Sequence, residues 1–180
     1  MRLFAAIRPP GLVLEHLSGA LAAVLAPRAD RSSPLQPRAN WHVTLAFYGE
    51  APAGAVPSIE ADLRAELASV SPFELELRGA GTFRGRVGWI GVGGDLASFA
   101  TAARAALAAY PTGGDRSANP HLTVTRAADR PAVADALRAL SIYVGPTWQA
   151  GEVELIRSDL GQGPGRHALY TTLGRWPLGG

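Results

Sequence analysis

Apolar residues recur along the chain with two periods, and the two periods divide it into strands and helices. Leu3 to Ile7 is an apolar run short enough for a buried strand. Leu14, Leu17, Leu21 and Leu25 then fall at helical spacing, which predicts an amphipathic helix from about Gly11 to Ala26. Pro27 to Arg38 contains three prolines and reads as loop, with a short strand at Leu35 to Arg38. Val43, Leu45 and Phe47 alternate with His42, Thr44 and Ala46, so a strand runs to Gly49 with those three apolar residues toward the core. Pro52, Gly54 and Pro57 turn the chain, and Ile59, Leu63 and Leu67 mark the next helix. Phe73, Leu75 and Leu77 alternate with Glu74, Glu76 and Arg78 in a half-exposed strand.

Gly79 to Gly85 reads as a turn, followed by a strand over Val87 to Val92 that contains Trp89. Asp95 is placed to cap a helix whose apolar face is Leu96, Phe99, Ala103, Leu107 and Tyr110. A polar loop over Pro111 to Asn119 leads into a short strand, Pro120 to Arg126. Pro131 opens a helix with Val133, Leu137 and Leu140 on its apolar side. Two strands, near Gln149 to Ser158 and Arg166 to Leu173, finish the pattern. The Gly161–Gly165 loop between them precedes no helix, so it is not read as a phosphate loop. Strands in adjacent pairs among helices predict an α+β fold with antiparallel or mixed sheets rather than a doubly wound parallel one.

Composition narrows this picture. The 180 residues are 47% hydrophobic and 18% charged, which suits one globular domain over 1–180 rather than disorder. No apolar run reaches 18 residues, so no membrane helix is expected, and the first ten residues do not resemble a signal peptide. Cysteine is absent, which removes disulfides and thiolate chemistry and fits a cytoplasmic protein. All 17 basic residues are Arg, against a net charge of +2. Codon bias explains that choice, although guanidinium forks also suit phosphate. No long basic run indicates a large nucleic-acid footprint.

The candidate chemistry lies in a repeated motif. His42-Val43-Thr44 and His121-Leu122-Thr123 are both His-x-Thr on a short strand, 79 positions apart. Residues two apart on a strand share a face, about 6.6 Å apart. Each copy therefore presents an imidazole and a hydroxyl together, and the spacing suggests two related halves sharing a cleft. His16, on a helix off the apolar stripe, and His167, outside both motifs, are read as non-catalytic.

Metal and nucleophile sites are disfavoured. Neither motif has a nearby Asp, Glu or third His to complete a zinc set. No G-x-S-x-G stands in the chain, and no carboxylate is placed to orient either His. Two imidazoles without metal suit concerted acid–base catalysis, one as base and one as acid. Phosphoryl transfer uses that arrangement, because attacking and leaving oxygens lie in line across phosphorus. Thr44 and Thr123 would hold the non-bridging oxygens, and Arg126 would offset their charge. Arg126 lies five residues after His121, so on an ideal strand it faces away, and a bend or bulge must re-aim it.

Asn40-Trp41-His42-Val43-Thr44-Leu45-Ala46-Phe47-Tyr48-Gly49 and Pro120-His121-Leu122-Thr123-Val124-Thr125-Arg126 resemble the paired motifs of the 2H phosphoesterase superfamily. Within it they are most similar to the bacterial and archaeal RNA 2′,3′-cyclic phosphodiesterases, also called the 2′-5′ RNA ligase family. Arg2 to Ile7, Val87 to Gly91 and Glu154 to Tyr170 resemble further stretches of that family. The resemblance implies a bilobal fold with two pseudo-symmetric lobes around a central cleft. It implies metal-independent hydrolysis of RNA 2′,3′-cyclic phosphate ends to 2′-phosphates, with no cofactor. His42 would be the proton donor to the leaving 3′-oxygen and His121 the base that activates water. Family members often carry an aromatic residue three positions before the second His, where this chain has Ala118. Tyr48, which shares the parity of His42 and Thr44, is the candidate to supply base stacking instead. The implied partners are RNA ends or nucleoside 2′,3′-cyclic phosphates, tRNA fragments among them, bound by a monomer. The alternatives are a 2′-5′ RNA ligase acting on tRNA halves with the same residues, and a non-catalytic RNA-end-binding module.

Overall fold

The computed structural model describes residues 1–25, 35–111 and 119–179, and the backbone of 114–115. In chain order the elements are β1 (Arg2–Ile7), α1 (Gly11–Val24), β2 (Val43–Glu50), α2 (Val56–Leu67), β3 (Phe73–Phe83), β4 (Val87–Gly94) and α3 (Leu96–Ala108). There follow the two-residue β5 (Gly114–Asp115), β6 (His121–Thr125), α4 (Pro131–Ala139), β7 (Val144–Ala150), β8 (Glu152–Asp159) and β9 (Leu169–Pro177). The strands join in the order β7-β3-β4-β6-β2-β1-β8-β9, with β5 beside β2. Every pairing between these strands is antiparallel.

The sequence places helices where the apolar stripes predict them. Val13, Leu14, Leu17 and Leu21 of α1, and Ile59, Leu63 and Leu67 of α2, are buried. Each buried leucine stabilises by roughly 1.5–3 kcal/mol. Asp95 caps α3, its carboxylate accepting from the Ser98 N–H at 3.0 Å. The buried face of α3 is Phe99, Ala102, Ala103 and Ala106, whereas Leu96 in its first turn lies 44% exposed. Helices α2 and α3 pack with β2 and β9, and α1 and α4 with β3, β4 and β7. Each half of the sheet is thus four strands backed by two helices, the two pseudo-symmetric lobes that the motif repeat predicts.

Three stretches differ from the sequence expectation. Gly79 to Gly85 is not one turn, because β3 continues through it to Phe83. Gly79, at φ +61°, is an extra residue between the rungs Arg78–Gly91 and Ala80–Ile90, so it is a bulge. The turn proper is Phe83-Arg84-Gly85-Arg86. Arg84 and Gly85 both have positive φ (51° and 65°), and the Arg86 N–H donates to the Phe83 carbonyl at 3.1 Å, as in a type I′ hairpin. The single strand read near Gln149 to Ser158 is two strands, β7 and β8, joined at Gly151. The Gly145-Pro146 pair disguises β7. It sits in a register shift on an edge strand, where the missing N–H of proline costs no ladder bond. Of Leu35 to Arg38, Leu35 makes one bridge to Thr125 and Arg38–Asn40 forms a 3₁₀ turn.

Strands β2 and β6 meet at the centre of the sheet through one registered pair, Val43 and Leu122. These are the middle residues of the two His-x-Thr motifs, so the seam between the lobes sets the motifs side by side.

Candidate active site

Each central strand carries a bulge directly after its threonine. In β2, Ala5 pairs with Ala46 and Ala6 with Thr44, which leaves Leu45 as an extra residue. Leu45 and Ala46 are both buried, and Phe47 swings back to the side of Thr44. In β6, Thr123 pairs with Trp89 and Thr125 with Gly88, which leaves Val124 extra. Val124 and Thr125 are both buried, and Arg126 returns to the side of Thr123. The device is the same in both lobes, so Phe47 and Arg126 occupy equivalent places.

His42, Thr44, His121, Thr123 and Arg126 consequently line one cleft of about 220 Å³. Tyr48 does not join them. It is 2% exposed, and its hydroxyl donates to the Ala106 carbonyl at 2.7 Å, on the helix side of the sheet. The bulge at Leu45 reverses the faces of the three residues after it, up to a second irregularity at Tyr48, so Tyr48 turns inward and Phe47 outward. Phe47, expected in the core, packs at the cleft with Phe4, Ala6, Ile156 and Tyr170. The Arg2 guanidinium lies 5.7 Å from its ring centroid. His16 lies on the exposed side of α1, with Nδ1 2.9 Å from the Tyr143 hydroxyl. His167 lies beside the 3₁₀ turn Pro164–Arg166 and is not among the residues that line the cleft. Ala118 lies outside the described residues.

The two histidines are held alike. Nδ1 of His42 is 2.7 Å from the Asn40 carbonyl, and Nδ1 of His121 is 2.8 Å from the Asn119 carbonyl. A carbonyl oxygen only accepts, so each Nδ1 carries its hydrogen and Nε2 is the nitrogen of each ring that can gain or lose the other proton. Asn40 is itself pinned, its side-chain amide donating to the Ala168 carbonyl at 2.8 Å. Each imidazole also packs against a pair of aromatic rings that touch each other. Phe4 and Tyr170 lie 4.7 and 5.4 Å from His42 by ring centroids, and Phe83 and Trp89 lie 4.8 and 6.4 Å from His121.

The electrostatics of the His42 side are strongly shifted. Burial pulls the His42 imidazole down to about 4, partly opposed by the Asn40 carbonyl. The positive charges of Arg8, His121 and Arg126 push the same way as burial. His42 is therefore neutral in the free protein at pH 7. An anion in the cleft favours imidazolium and moves the value up. A histidine-resolved NMR titration is expected to show His42 titrating near 4 in the free protein and higher in saturating inorganic phosphate. An unchanged or lower value with phosphate would contradict this electrostatic picture. Burial also raises the Tyr170 hydroxyl, and Arg126 opposes that shift by its charge and a hydrogen bond.

Sequence reasoning missed Phe47, Arg2, Phe4, Tyr170, Phe83 and Trp89 at the site. One signal was available. The adjacent apolar pair Leu45-Ala46 interrupts strict alternation, which is where a bulge re-aims the chain.

The sequence model of the 2′-5′ RNA ligase superfamily matches residues 13–162. An RNA 2′,3′-cyclic phosphodiesterase of Methanothermobacter thermautotrophicus is 33% identical over 131 residues, covering 67% of this chain and 71% of that protein. Among solved structures, Escherichia coli LigT complexed with NADP+ superimposes with a TM-score of 0.76 at 27% identity, covering 99% of this chain and 98% of LigT. A Thermus thermophilus protein gives 0.74 at 26% identity, covering 100% and 99%.

Proposed function

Because this chain belongs to the 2′-5′ RNA ligase superfamily, we propose that it hydrolyses RNA 2′,3′-cyclic phosphate ends to 2′-phosphates. The observation that carries the reading is the pair of imidazoles, each with Nδ1 tied to a backbone carbonyl, facing one cleft. Two relatives support the chemistry. The Methanothermobacter protein bears the name of this activity, and LigT has been crystallised with NADP+, ATP, phosphate and 3′-AMP. Those four ligands share a phosphate group.

In this mechanism Nε2 of His121 takes a proton from a water molecule as its oxygen attacks phosphorus. The bond from phosphorus to the 3′-oxygen breaks, and His42 gives that oxygen a proton. The phosphate stays on the 2′-oxygen, and a second proton exchange with solvent resets both rings. Thr44 and Thr123 hydroxyls donate to the non-bridging oxygens, and Arg126 offsets their charge. His42 is neutral in the free protein, so it must gain its proton when the anionic substrate enters. The substrate supplies the negative charge that restores it. Phe47, under the Arg2 guanidinium, offers the terminal base a ring in place of Tyr48.

The test is incubation of a nucleoside 2′,3′-cyclic phosphate with the protein in excess chelator. The expected product is the nucleoside 2′-phosphate alone, with a bell-shaped pH–rate profile. Absence of turnover, a 3′-phosphate product or loss of activity in chelator would overturn the reading. The superfamily's name favours a second reading, in which a 5′-hydroxyl RNA end replaces water and the same residues join two ends. Adding such an end to the same assay separates the two.

A further inference from the structure

The two lobes treat their histidines differently on the outer side. Phe4, which flanks His42, is buried, whereas Phe83, which flanks His121, is 39% exposed. Phe83 and Trp89 lie 5.5 Å apart at 35°, and Trp89 is directly across the ladder from Thr123. The Trp89 indole lies flat across β3 because its neighbour there is Gly81. A Cβ at residue 81 would sit 2.4 Å from the indole Cζ2. The cleft floor therefore continues past His121 as an aromatic shelf.

Cations border that shelf. Arg84 and Arg86 are exposed at the β3–β4 turn immediately after Phe83, and neither is paired with a carboxylate among the described residues. The turn abuts the end of β6 that carries Arg126, the Ala128 N–H donating to the Arg86 carbonyl at 2.9 Å. Arg84 holds a left-handed backbone, at φ 51°, where glycine or asparagine fits at lower cost.

We infer that the Phe83–Trp89 shelf with Arg84 and Arg86 is a binding site for the single-stranded RNA upstream of the terminal cyclic phosphate. The inference rests on the proposed phosphodiesterase reading and adds where on this chain the RNA upstream of the reacting end is held. Bases stack on exposed rings without regard to sequence, and backbone phosphates pair with guanidinium groups. The shelf is continuous with the cleft through the contact of Phe83 with His121, so a strand whose end sits between the histidines leads onto it.

The test compares a nucleoside 2′,3′-cyclic phosphate with a six-nucleotide RNA ending in the same group, for the wild type and for Arg84→Gly combined with Arg86→Gln. Wild type is expected to favour the hexamer in kcat/KM by roughly tenfold or more, the scale of one stacked base. The double variant, which keeps the stacking rings, is expected to lose part of that preference while turning over the mononucleotide at the wild-type rate. Binding of a labelled hexamer 2′-phosphate, followed by anisotropy against salt, is a readout independent of turnover. Two lost phosphate contacts reduce the log–log salt slope by about 1.4. Arg84→Gly relieves the left-handed backbone, so the melting temperature is expected to hold or rise. Equal kcat/KM for both substrates in the wild type, or an unchanged salt slope in the variant, would overturn the shelf while leaving hydrolysis intact. Slope-sensitive hexamer binding without turnover of either substrate would uphold the shelf and remove the phosphodiesterase.

Discussion

Replacement of His42 or His121 by alanine is expected to cut turnover of a nucleoside 2′,3′-cyclic phosphate by roughly a hundred- to ten-thousand-fold, the scale of one lost proton-transfer partner. Each ring is held through Nδ1 by a carbonyl two residues before it, so what truncation removes at the cleft is the Nε2 group. The double variant should be scarcely worse than either single one, because a base without its acid completes no cycle. His16→Ala and His167→Ala are the controls, and each should stay within about twofold of wild type. His16 contacts Tyr143 on the exposed face of α1, and neither residue lines the cleft. Circular dichroism of all four variants separates lost chemistry from lost fold. Similar kinetics in all four would remove the two-histidine site.

The second large effect is expected at Glu154, which lies in neither motif. Its side chain on β8 is 6% exposed and accepts from Arg8 Nε and Nη2 at 3.2 and 3.1 Å, Thr172 Oγ1 at 3.0 Å and Arg175 Nε at 3.1 Å. Glu154→Gln keeps the shape, removes the charge and faces these donors with an amide that accepts at one atom only. A fully buried pair broken in this way costs roughly 3–5 kcal/mol. Here Arg8 and Arg175 reach water, at 28% and 58% exposure, so about 2 kcal/mol is expected. Burial raises the Glu154 carboxyl, but the hydrogen bond and charge of Arg8, with Thr172 and Arg175, outweigh it and hold the group below the usual glutamate value. Its contribution is then complete above the ordinary glutamate range and lost as pH falls through the lower folded value. Urea unfolding of wild type and variant should show a constant gap from pH 6 to 8 that closes in strong acid. A gap that is absent at pH 7, or that widens in acid, would contradict this account. The same substitution is expected to loosen the candidate site. Arg8 also donates Nη1 to the Ala39 carbonyl at 2.6 Å, next to the Asn40 carbonyl that holds His42.

Much of this molecule was legible in its sequence because helix stripes and strand alternation are read one residue at a time. The α+β class, the four helices and the two His-x-Thr strands follow from periods in the chain. The bulges leave only a faint trace, such as the adjacent apolar pair Leu45-Ala46, since they are relations between two strands and the partner fixes which residue is extra. That is why Phe47 and Tyr48 exchanged faces. Arg126 shows the other side of the same physics: five residues from His121 it faces the wrong way on an ideal strand, and the extra residue Val124 turns it back. The glycines misled for a related reason. Gly79 and Gly81 look like a turn, but one absorbs a bulge and the other clears room for Trp89. Strand β7 was hidden by Gly145-Pro146, whose acceptability depends on lying at a sheet edge. Glu154 and Arg8 are 146 residues apart, and no local pattern announces their pairing.

The rung formed by Val43 and Leu122 makes the gap between the imidazoles a property of two neighbouring backbones rather than of any loop. Strand spacing in a ladder is fixed within a few tenths of an ångström. The reach across the reacting centre is thereby inherited from ordinary sheet geometry. Drift in loops or helices can reshape what the protein recognises and leave that span untouched.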